Sequence, residues 1–257
     1  MNIRLAKFIS DSGVASRREA ERLIESGAVS VNSAIINTPV FFLDGSEDVI
    51  VQGKKISQQN EIKLYAFNKP INVMTTSNDP NGRETIYDIL PKNYRNLKYI
   101  GRLDYKTSGL LLLTNDGGLA QNLTLPNTKI PRVYNAKLYP KKLDEIKSVK
   151  IINLLRKFLS PIFSEESLLD IARAGVTLDK IKYAPMGIEI ISRYPLAVKI
   201  TLYEGKKNEI RLVMDYLGLP VKKLERVSYG NINLDNLKSG EIKELSQKTI
   251  DELVKSF

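Results

Sequence analysis

One stretch of the chain reads Gly101-Arg102-Leu103-Asp104-Tyr105-Lys106-Thr107-Ser108-Gly109 and runs directly into Leu110-Leu111-Leu112-Leu113 and Thr114-Asn115-Asp116-Gly117. Four consecutive leucines between glycine-containing breaks predict a short buried strand. Asp104 lies in the turn that enters this strand, so its carboxylate is held in place without being enclosed. Either the Asp104 carboxylate hydrogen-bonds the turn backbone, as Asp commonly does, or it is available for chemistry.

Length and composition limit the alternatives. The chain has 257 residues, of which 42% are hydrophobic, which is enough for one large domain or for a small and a medium one. No apolar run approaches the roughly 18 residues of a membrane span, and the N-terminal residues lack the apolar segment of a secretory signal. We therefore expect a soluble, cytoplasmic protein.

The residue inventory restricts the chemistry. The chain contains neither Cys nor His. This excludes disulfides, thiol nucleophiles, imidazole acid–base catalysis and nearly every zinc site. An enzyme with this composition works with carboxylate, hydroxyl, Lys or Arg side chains.

The net charge of +10 predicts a polyanionic partner, although a solubilising surface is the alternative. Residues 1–60 hold seven Lys and Arg against seven Asp and Glu, so the excess of 32 basic over 22 acidic residues lies in residues 61–257. The larger part of the chain is therefore expected to meet phosphate itself.

The first 55 residues predict two short helices followed by short strands. Leu5, Phe8 and Ile9 have helical spacing, and Gly13 ends that helix. Ser16 and Glu19 form a capping-box pattern at the start of the next helix. Strands are predicted at 29–32 and 48–51, with turns at Asn32-Ser33, Asp44-Gly45 and Gly53.

This segment resembles the S4-type RNA-binding domain. The signature is carried by Ala15-Ser16-Arg17-Arg18-Glu19-Ala20-Glu21-Arg22-Leu23-Ile24-Glu25-Ser26-Gly27 and Val29-Ser30-Val31-Asn32. Ser33 departs from the usual Gly, so the turn is either of another type or costlier. The resemblance implies that Arg17, Arg18, Arg22 and Lys7 contact RNA; the alternative for the arginines is a solvated helix face paired with Glu19, Glu21 and Glu25.

A second domain is predicted to begin at Ile62, after a polar linker at Ser57–Glu61. Strands are predicted at 62–67, 131–139 and, as a hairpin, 186–203. Short helices are predicted at 85–90 and 118–125, with longer ones at 208–216 and at the C-terminus. Residues 141–175 predict helices ended by Gly175 and suggest no chemistry.

The Asp104 segment, Gly-Arg-Leu-Asp-x-x-Thr-x-Gly followed by four leucines and Thr-Asn-Asp-Gly, resembles the catalytic segment of ribosomal pseudouridine synthases of the RsuA type. The resemblance implies that Asp104 is the catalytic carboxylate and nucleophile. Asn68-Lys69-Pro70 and the loop ending at Arg83 also match this family, in which they border the RNA cleft.

Three further residues acquire roles through the resemblance. Tyr134 matches the family's active-site tyrosine, which stacks on the target base; a core or cross-strand Tyr is the alternative. Arg211 matches the arginine that pairs with the catalytic aspartate, and Ile210 matches the aliphatic residue at the base pocket. A second basic residue usually follows, but here it is Leu212, so part of the RNA contact is weaker or falls to Lys206 and Lys207.

The resemblance implies an α+β fold: an S4-type domain at 1–58 and a catalytic domain at 62–257 built on a mainly antiparallel mixed sheet with a central cleft. It implies conversion of one uridine of ribosomal RNA to pseudouridine, without cofactor or metal, by a monomer acting on RNA or a pre-ribosomal particle. RNA contacts are expected from Arg83, Arg102 and Lys206. Glu204-Gly205-Lys206 and Glu209-Ile210-Arg211 favour the large-subunit group of the family.

Two other functions remain open from sequence. One is a non-catalytic RNA-binding or ribosome-assembly protein on the same fold, which Leu212 and the poor match at 141–180 favour. The other is metal-dependent phosphoryl chemistry with Asp104 and Asp116, although the chain has no phosphate-binding loop.

Overall fold

The computed structural model describes residues 2–57, 61–139, 175–193 and 195–255. This part of the chain divides into two compact units. The first contains the residues up to Lys63 together with Asn96–Lys98 and Thr114–Leu119, and the second contains Leu64–Arg95, Tyr99–Leu113 and the chain from Ala120. The helices predicted at 141–174 and the centre of the predicted linker, 58–60, lie outside the described residues.

The first unit packs two helices against short strands. Its elements are β1 (Ile3–Arg4), α1 (Leu5–Asp11), α2 (Arg17–Glu25), β2 (Val29–Val31), β3 (Ala34–Ile35), β4 (Phe42–Leu43), β5 (Val49–Val51) and β6 (Lys54–Ile56). Four strands form an antiparallel sheet in the order β3-β2-β5-β6, and β1 pairs with β4. Leu5, Ile9 and Ile24 of the helices pack with Val29 and Val49 of the strands in one core.

Two local predictions in this unit are refined by the structure. Ser16 caps α2 by accepting a hydrogen bond from the Glu19 N–H at 3.3 Å, but the Glu19 carboxylate pairs with Arg22 instead of returning to the cap. The turn between β2 and β3 has positive φ at both Asn32 and Ser33, as a type I′ turn requires. Ser33 therefore occupies a conformation that Gly adopts at less cost.

The second unit contains a nine-stranded sheet with helices around it. Its strands are β7 (Leu64–Lys69), β8 (Lys98–Ile100), β9 (Ser108–Thr114), β10 (Arg132–Leu138), β11 (Val176–Leu178), β12 (Ile181–Tyr183), β13 (Gly187–Arg193), β14 (Leu196–Leu202), β15 (Val221–Tyr229), β16 (Ile232–Asn233) and β17 (Ile242–Glu244). Its α-helices are α3 (Ile86–Ile89), α4 (Gly117–Thr124), α5 (Glu209–Tyr216) and α6 (Gln247–Lys255), and single 3-10 turns cover Lys92–Tyr94 and Pro126–Thr128.

The order of the large sheet is β13-β14-β10-β15-β9-β7-β17, with β16 added to β15 and β8 to β9. Pairing is antiparallel between β13 and β14, β14 and β10, β10 and β15, β15 and β16, and β7 and β17, whereas β15 and β9 are parallel. β11 and β12 form a separate hairpin. The predicted α+β class with a mainly antiparallel mixed sheet is confirmed.

The leucine strand lies at the centre of this sheet. Leu110, Leu111, Leu112 and Leu113 are completely buried in β9, as predicted. Gly109 faces Arg226 across the β9–β15 pair, and a Cβ at this position would lie 2.3 Å from the Arg226 carbonyl oxygen. Glycine is therefore required for the close approach of the two strands, which brings the turn before β9 next to β15.

The remaining helices agree broadly with the predicted pattern. α6 buries Ile250 and Leu253, whereas Val254 is exposed. No helix within the described ranges has both the length and the apolar content needed to cross a membrane.

Candidate active site

The second unit contains a cavity of about 720 Å³ in front of the turn that carries Asp104. Its wall is formed by that turn, by β10 and β15, and by the connection from β14 into α5. The side chains that line it include Arg102, Asp104, Arg132, Tyr134, Glu204, Lys206, Glu209, Ile210, Arg211 and Arg226. The structure thus brings together the predicted acid, the predicted base-stacking residue and several cations.

Backbone hydrogen bonds hold the Asp104 turn in place, whereas the Asp104 carboxylate has no hydrogen bond to any described residue. The Asp104 carbonyl accepts a hydrogen bond from the Thr107 N–H at 2.9 Å. The buried Thr75 hydroxyl fixes the preceding residue, since it donates to the Leu103 carbonyl at 2.9 Å and accepts from the Leu103 N–H at 3.3 Å. Among the described residues, the Asp104 carboxylate accepts no hydrogen bond and forms no ion pair within 4 Å.

Other turn aspartates behave differently. The Asp79 carboxylate accepts the N–H groups of Asn81 and Arg83, and that of Asp116 accepts the Leu119 N–H at 2.5 Å, near the start of α4. These side chains stabilise their own turns. The interpretation of Asp104 as a residue that hydrogen-bonds its turn backbone is therefore wrong: the backbone, with Thr75, already holds the turn.

Tyr134 and Ile210 form an apolar part of the cavity wall. Tyr134 lies on β10 directly opposite Ile200 of β14 and Arg226 of β15, and 8% of it is exposed. Ile210 is in the first turn of α5 and is also buried. A planar ring and an aliphatic side chain beside a carboxylate are suited to holding an aromatic base by stacking and van der Waals contact.

Arg211 contributes charge near Asp104 without touching it. Its guanidinium donates to the Lys106 carbonyl at 2.7 Å and to the Val221 carbonyl at 3.0 Å. Burial lowers the pKa of Arg211, and the Asp104 carboxylate opposes this shift. No Arg211 nitrogen is within 4 Å of an Asp104 oxygen, because the terminal nitrogens are bonded to these two carbonyls. The guanidinium fastens the turn that carries Asp104 to the start of β15.

Two buried cations next to this site were not assigned a role from sequence. Lys69, at the end of β7, is completely buried and donates to the carbonyls of Pro70 and Val73 at 2.8 and 2.7 Å. Burial lowers the pKa of Lys69 to about 8; the Asp104 carboxylate raises it, and the Arg226 charge lowers it further. Neither Lys69 nor Arg226 forms an ion pair within the described residues. Asp104 is therefore the acidic neighbour that compensates Lys69.

Arg226 is 2% exposed and lines the cavity. Its Nε donates to the Leu110 carbonyl at 2.7 Å, its guanidinium lies 5.3 Å from the Tyr229 ring centre, and its Nη2 is buried without a partner among the described residues. Arg132 also packs on Tyr229, at 5.2 Å. The buried side of the Asp104 cavity is therefore strongly cationic.

The positions of Lys69 and Arg226 in their strands mark both residues as unusual. β7 is a continuous run of buried residues that ends in Lys69, and β15 alternates so that Leu224, Arg226 and Ser228 share its buried face. A cation on the inward face of a strand is unusual enough to mark a candidate site. The family resemblance places Asn68-Lys69-Pro70 at the border of the RNA cleft but gives Lys69 no role of its own.

The predicted RNA-contacting residues fall into two groups. Arg102 and Lys206 line the cavity. Arg83 does not; it is paired with Asp79 at 2.7 Å and lies 5.7 Å from the Tyr105 ring centre. In the first unit, Lys7 pairs with Asp11 and Arg22 with Glu19. Arg17 and Arg18 are exposed and form no ion pair with any described residue.

Among the described residues, no group of three or more His, Cys, Asp or Glu side chains could hold a metal ion. The Asp116 carboxylate accepts the Leu119 N–H near the start of α4.

Comparisons with family profiles and with known proteins point to the same family. The RNA pseudouridylate synthase profile matches residues 63–216, and the S4 domain profile matches residues 3–50. An uncharacterized RNA pseudouridine synthase of Rickettsia conorii is 36% identical over 250 residues, which cover 96% of this chain and 98% of that protein. Ribosomal large subunit pseudouridine synthase B of Bacillus subtilis is 34% identical over 251 residues, 97% of this chain and 95% of that protein.

A solved structure is similar over the same length. The crystal structure of a pseudouridylate synthase, 25% identical, covers 98% of this chain and 99% of its own with a TM-score of 0.64. The sequence motifs, the mixed sheet and these relatives agree. The chain belongs to the RNA pseudouridylate synthase family, with an N-terminal S4 domain, and is an isomerase of uridine in RNA.

Proposed function

We propose that this protein isomerises one uridine of large-subunit ribosomal RNA to pseudouridine, with Asp104 as the catalytic carboxylate. One observation carries the assignment: the Asp104 carboxylate lies on a cavity wall, held by its backbone and bonded to nothing among the described residues. A side chain that contributes no hydrogen bond to its own turn is available to a substrate.

The proposed reaction uses side chains of this chain alone. The target uridine leaves its stack and enters the cavity, at a cost of a few kcal/mol. Tyr134 stacks on the uracil and Ile210 packs against it, while Arg211 holds the turn that presents Asp104. The bond from N1 to the sugar breaks, the uracil turns, and C5 bonds to the sugar; C5 loses a proton and N1 gains one.

The basic residues are proposed to bind the RNA around this uridine. Arg102 and Lys206 at the cavity, and Arg83 nearby in the chain, contact the backbone near the target in the catalytic domain, 62–257. Lys7, Arg17, Arg18 and Arg22 contact another part of the RNA from the S4 domain, 1–58. Because ribosomal RNA is cytoplasmic in bacteria, we assign the protein to the cytoplasm, as a monomer.

The choice of the large subunit rests on two observations. The Bacillus subtilis relative that is 34% identical over nearly the whole chain carries the name ribosomal large subunit pseudouridine synthase B. In addition, the residues from Glu204 to Arg211, which form one wall of the cavity, follow the pattern typical of the large-subunit group.

The test uses unmodified transcripts of 23S and 16S ribosomal RNA. Each is incubated with the purified protein, and pseudouridines are mapped by carbodiimide modification and reverse transcription. We expect one new stop in the 23S transcript and none in the 16S transcript. A stop confined to 16S RNA would contradict the large-subunit assignment, and no stop in either RNA, or in assembled precursor particles, would contradict the proposed activity.

A further inference from the structure

A pair of acidic residues lies on the wall of the Asp104 cavity and has no part in the proposed reaction. Glu209 is the first residue of α5, and only 3% of it is exposed. Its Oε2 accepts a hydrogen bond from the Lys206 N–H at 3.0 Å, but its Oε1 is buried without a donor among the described residues. A buried carboxylate oxygen without a donor is costly unless it carries a proton.

The second acid of the pair is Glu204: Lys206 bonds to both acids, to Glu209 through its N–H and to Glu204 through its ammonium. Glu204 Oε1 accepts the Ala184 N–H at 2.5 Å, and its Oε2 is bonded to the Lys206 ammonium. Two ionised carboxylates offer acceptors only, and they repel each other when they are buried side by side. A single proton on Glu209 Oε1 would make that oxygen a donor to Glu204 and would remove one of the two charges.

The surroundings place this proton on Glu209. Burial and the neighbouring Glu204 carboxylate raise the pKa of Glu209 to about 7. Burial acts in the same direction on Glu204, but hydrogen bonds from Lys206 and Ala184 hold the pKa of Glu204 below its ordinary value. Protonated Glu209 is therefore the donor and ionised Glu204 the acceptor.

We propose that Glu209 is a positioning residue whose proton, shared with Glu204, fastens the connection 204–208 to the start of α5 and so shapes the cavity. Residues 204 to 211 all line the cavity, and Ile210 and Arg211 follow Glu209 directly. Loss of the proton leaves two adjacent negative charges in this wall. The connection then moves, and the cavity loses affinity for its nucleotide. The inference rests on the proposed function, in which this cavity receives the uridine.

Other charged or titratable groups line the same part of the cavity or lie against it. They are Lys206 and Lys207 in the connection, Arg211 on α5 and Arg132 on β10; Tyr183 on β12, over whose ring the Lys206 ammonium lies at 5.8 Å, is a further titratable side chain. Lys69 also titrates near pH 8, next to Asp104. Its titration affects the parent protein and every Glu209 variant alike, so comparison of the variants isolates Glu209.

The test compares Glu209→Gln and Glu209→Ala with the parent between pH 6.5 and 8.5. Gln donates an amide N–H to Glu204 at every pH and still accepts from the Lys206 N–H, whereas Ala does neither. We expect kcat/KM of the parent on its ribosomal RNA substrate to fall about tenfold across this range relative to Glu209→Gln, mainly through KM. Glu209→Ala should be poor at all pH values. Parallel profiles for the parent and Glu209→Gln would overturn the inference.

A second measurement decides the shared proton without any turnover. In protein labelled with ¹³C at the Glu carboxyl carbons, one resonance should titrate near pH 7 and disappear in Glu209→Gln, while thermal melting shows that the variant is folded. If no Glu carboxyl titrates above pH 6, the shared proton does not exist. If that resonance is present but the parent shows no turnover on any ribosomal RNA, the proposed function has failed and the shared proton stands.

Discussion

At the scale of single residues, Asp104 differs from Asp79 and Asp116 in leaving its carboxylate unbonded within the described chain. The turn does not need that carboxylate, since Thr75 and the Thr107 N–H already hold it. The cations around Asp104 are likewise bonded through carbonyls: Arg211 to Lys106 and Val221, and Lys69 to Pro70 and Val73. Positive charge is thus fixed around the acid while the acid stays available.

Arg211 provides the first test of this arrangement. Arg211→Leu removes both carbonyl bonds and the charge, and we expect kcat/KM to fall about 100-fold, which is a loss of about 2.7 kcal/mol of transition-state stabilisation. Arg211→Lys keeps the charge and one bond, so the loss should be about tenfold. Steady-state kinetics on the ribosomal RNA substrate measures both. An Arg211→Leu variant as active as the parent would show that Arg211 neither holds the Asp104 turn nor acts on it.

The lowered pKa of Lys69 predicts how the stability of the protein depends on pH. Its pKa is about 8 in the folded protein and near 10.5 when unfolded, so between these values the unfolded chain binds more protons. Stability from this residue therefore rises with pH in that window, by about 1.4 kcal/mol per pH unit. Urea unfolding at pH 7.5, 8.5 and 9.5 should show this rise in the parent and not in Lys69→Met. Equal pH dependence of stability in both proteins would mean that folding does not lower the pKa of Lys69.

At the scale of secondary-structure elements, the position of the site depends on the close approach of β9 and β15. Their parallel pairing places Gly109 against Arg226, next to the Asp104 turn. Because a Cβ on Gly109 would clash with backbone atoms, the sheet cannot relax cheaply around a larger residue. The separate pairing of β15 with β10 puts Arg226 opposite Tyr134, so β15 lies between the strand of the Asp104 turn and the strand of Tyr134.

Gly109→Ala tests this approach. Gly109 has φ 102° and no room for a Cβ, whereas Gly240 has φ 83° and nothing within 4 Å. We expect Gly109→Ala to lower the free energy of unfolding by about 3 kcal/mol or more, and Gly240→Ala by about 1 kcal/mol. Urea denaturation gives both values. Equal losses would indicate that only the positive φ matters and that the strands are not tightly apposed.

Sequence predicts the elements of this fold better than the interactions between them. The buried leucine strand, the hairpin of β13 and β14 and the helix after Asn208 all follow from local periodicity and are confirmed. Cavity neighbours such as Arg226 and Glu209 come from distant strands or depend on burial, which periodicity does not report. The family motif predicts a direct contact between Arg211 and Asp104, because a motif gives the residue and its partner but not the carbonyls that compete for the same donors.

At the scale of the whole molecule, the two units differ in net charge and in where their charged side chains lie. The second unit carries the net positive excess, some of it buried near the cavity at Lys69 and Arg226. The first unit has no net excess within residues 1–60, but Arg17 and Arg18 are exposed and free of ion pairs among the described residues. RNA binding by the first unit is therefore expected to depend on where its arginines lie and not on its overall charge.

The salt dependence of RNA binding tests this expectation. Replacing Arg17 and Arg18 with Gln should lower the slope of log Kd against log salt concentration by about 1.4 to 1.8, if each loses one phosphate contact. The matched control replaces Lys54 and Lys55, which are exposed on β6 and are not predicted to bind RNA. An unchanged slope for the arginine variant, or the same change in both variants, would mean that Arg17 and Arg18 form only a solvated helix face.

The central claim is that the Asp104 carboxylate performs the isomerisation, and Asp104→Asn tests it most directly. The parent and the variant are expressed in cells that lack the gene, and pseudouridines are mapped throughout both ribosomal RNAs. Asn keeps the volume and the backbone bonds, so melting temperature and RNA affinity should hardly change. We expect the parent to restore one pseudouridine in 23S RNA and Asp104→Asn to restore none. Restoration of the same pseudouridine by the Asn variant would contradict the account.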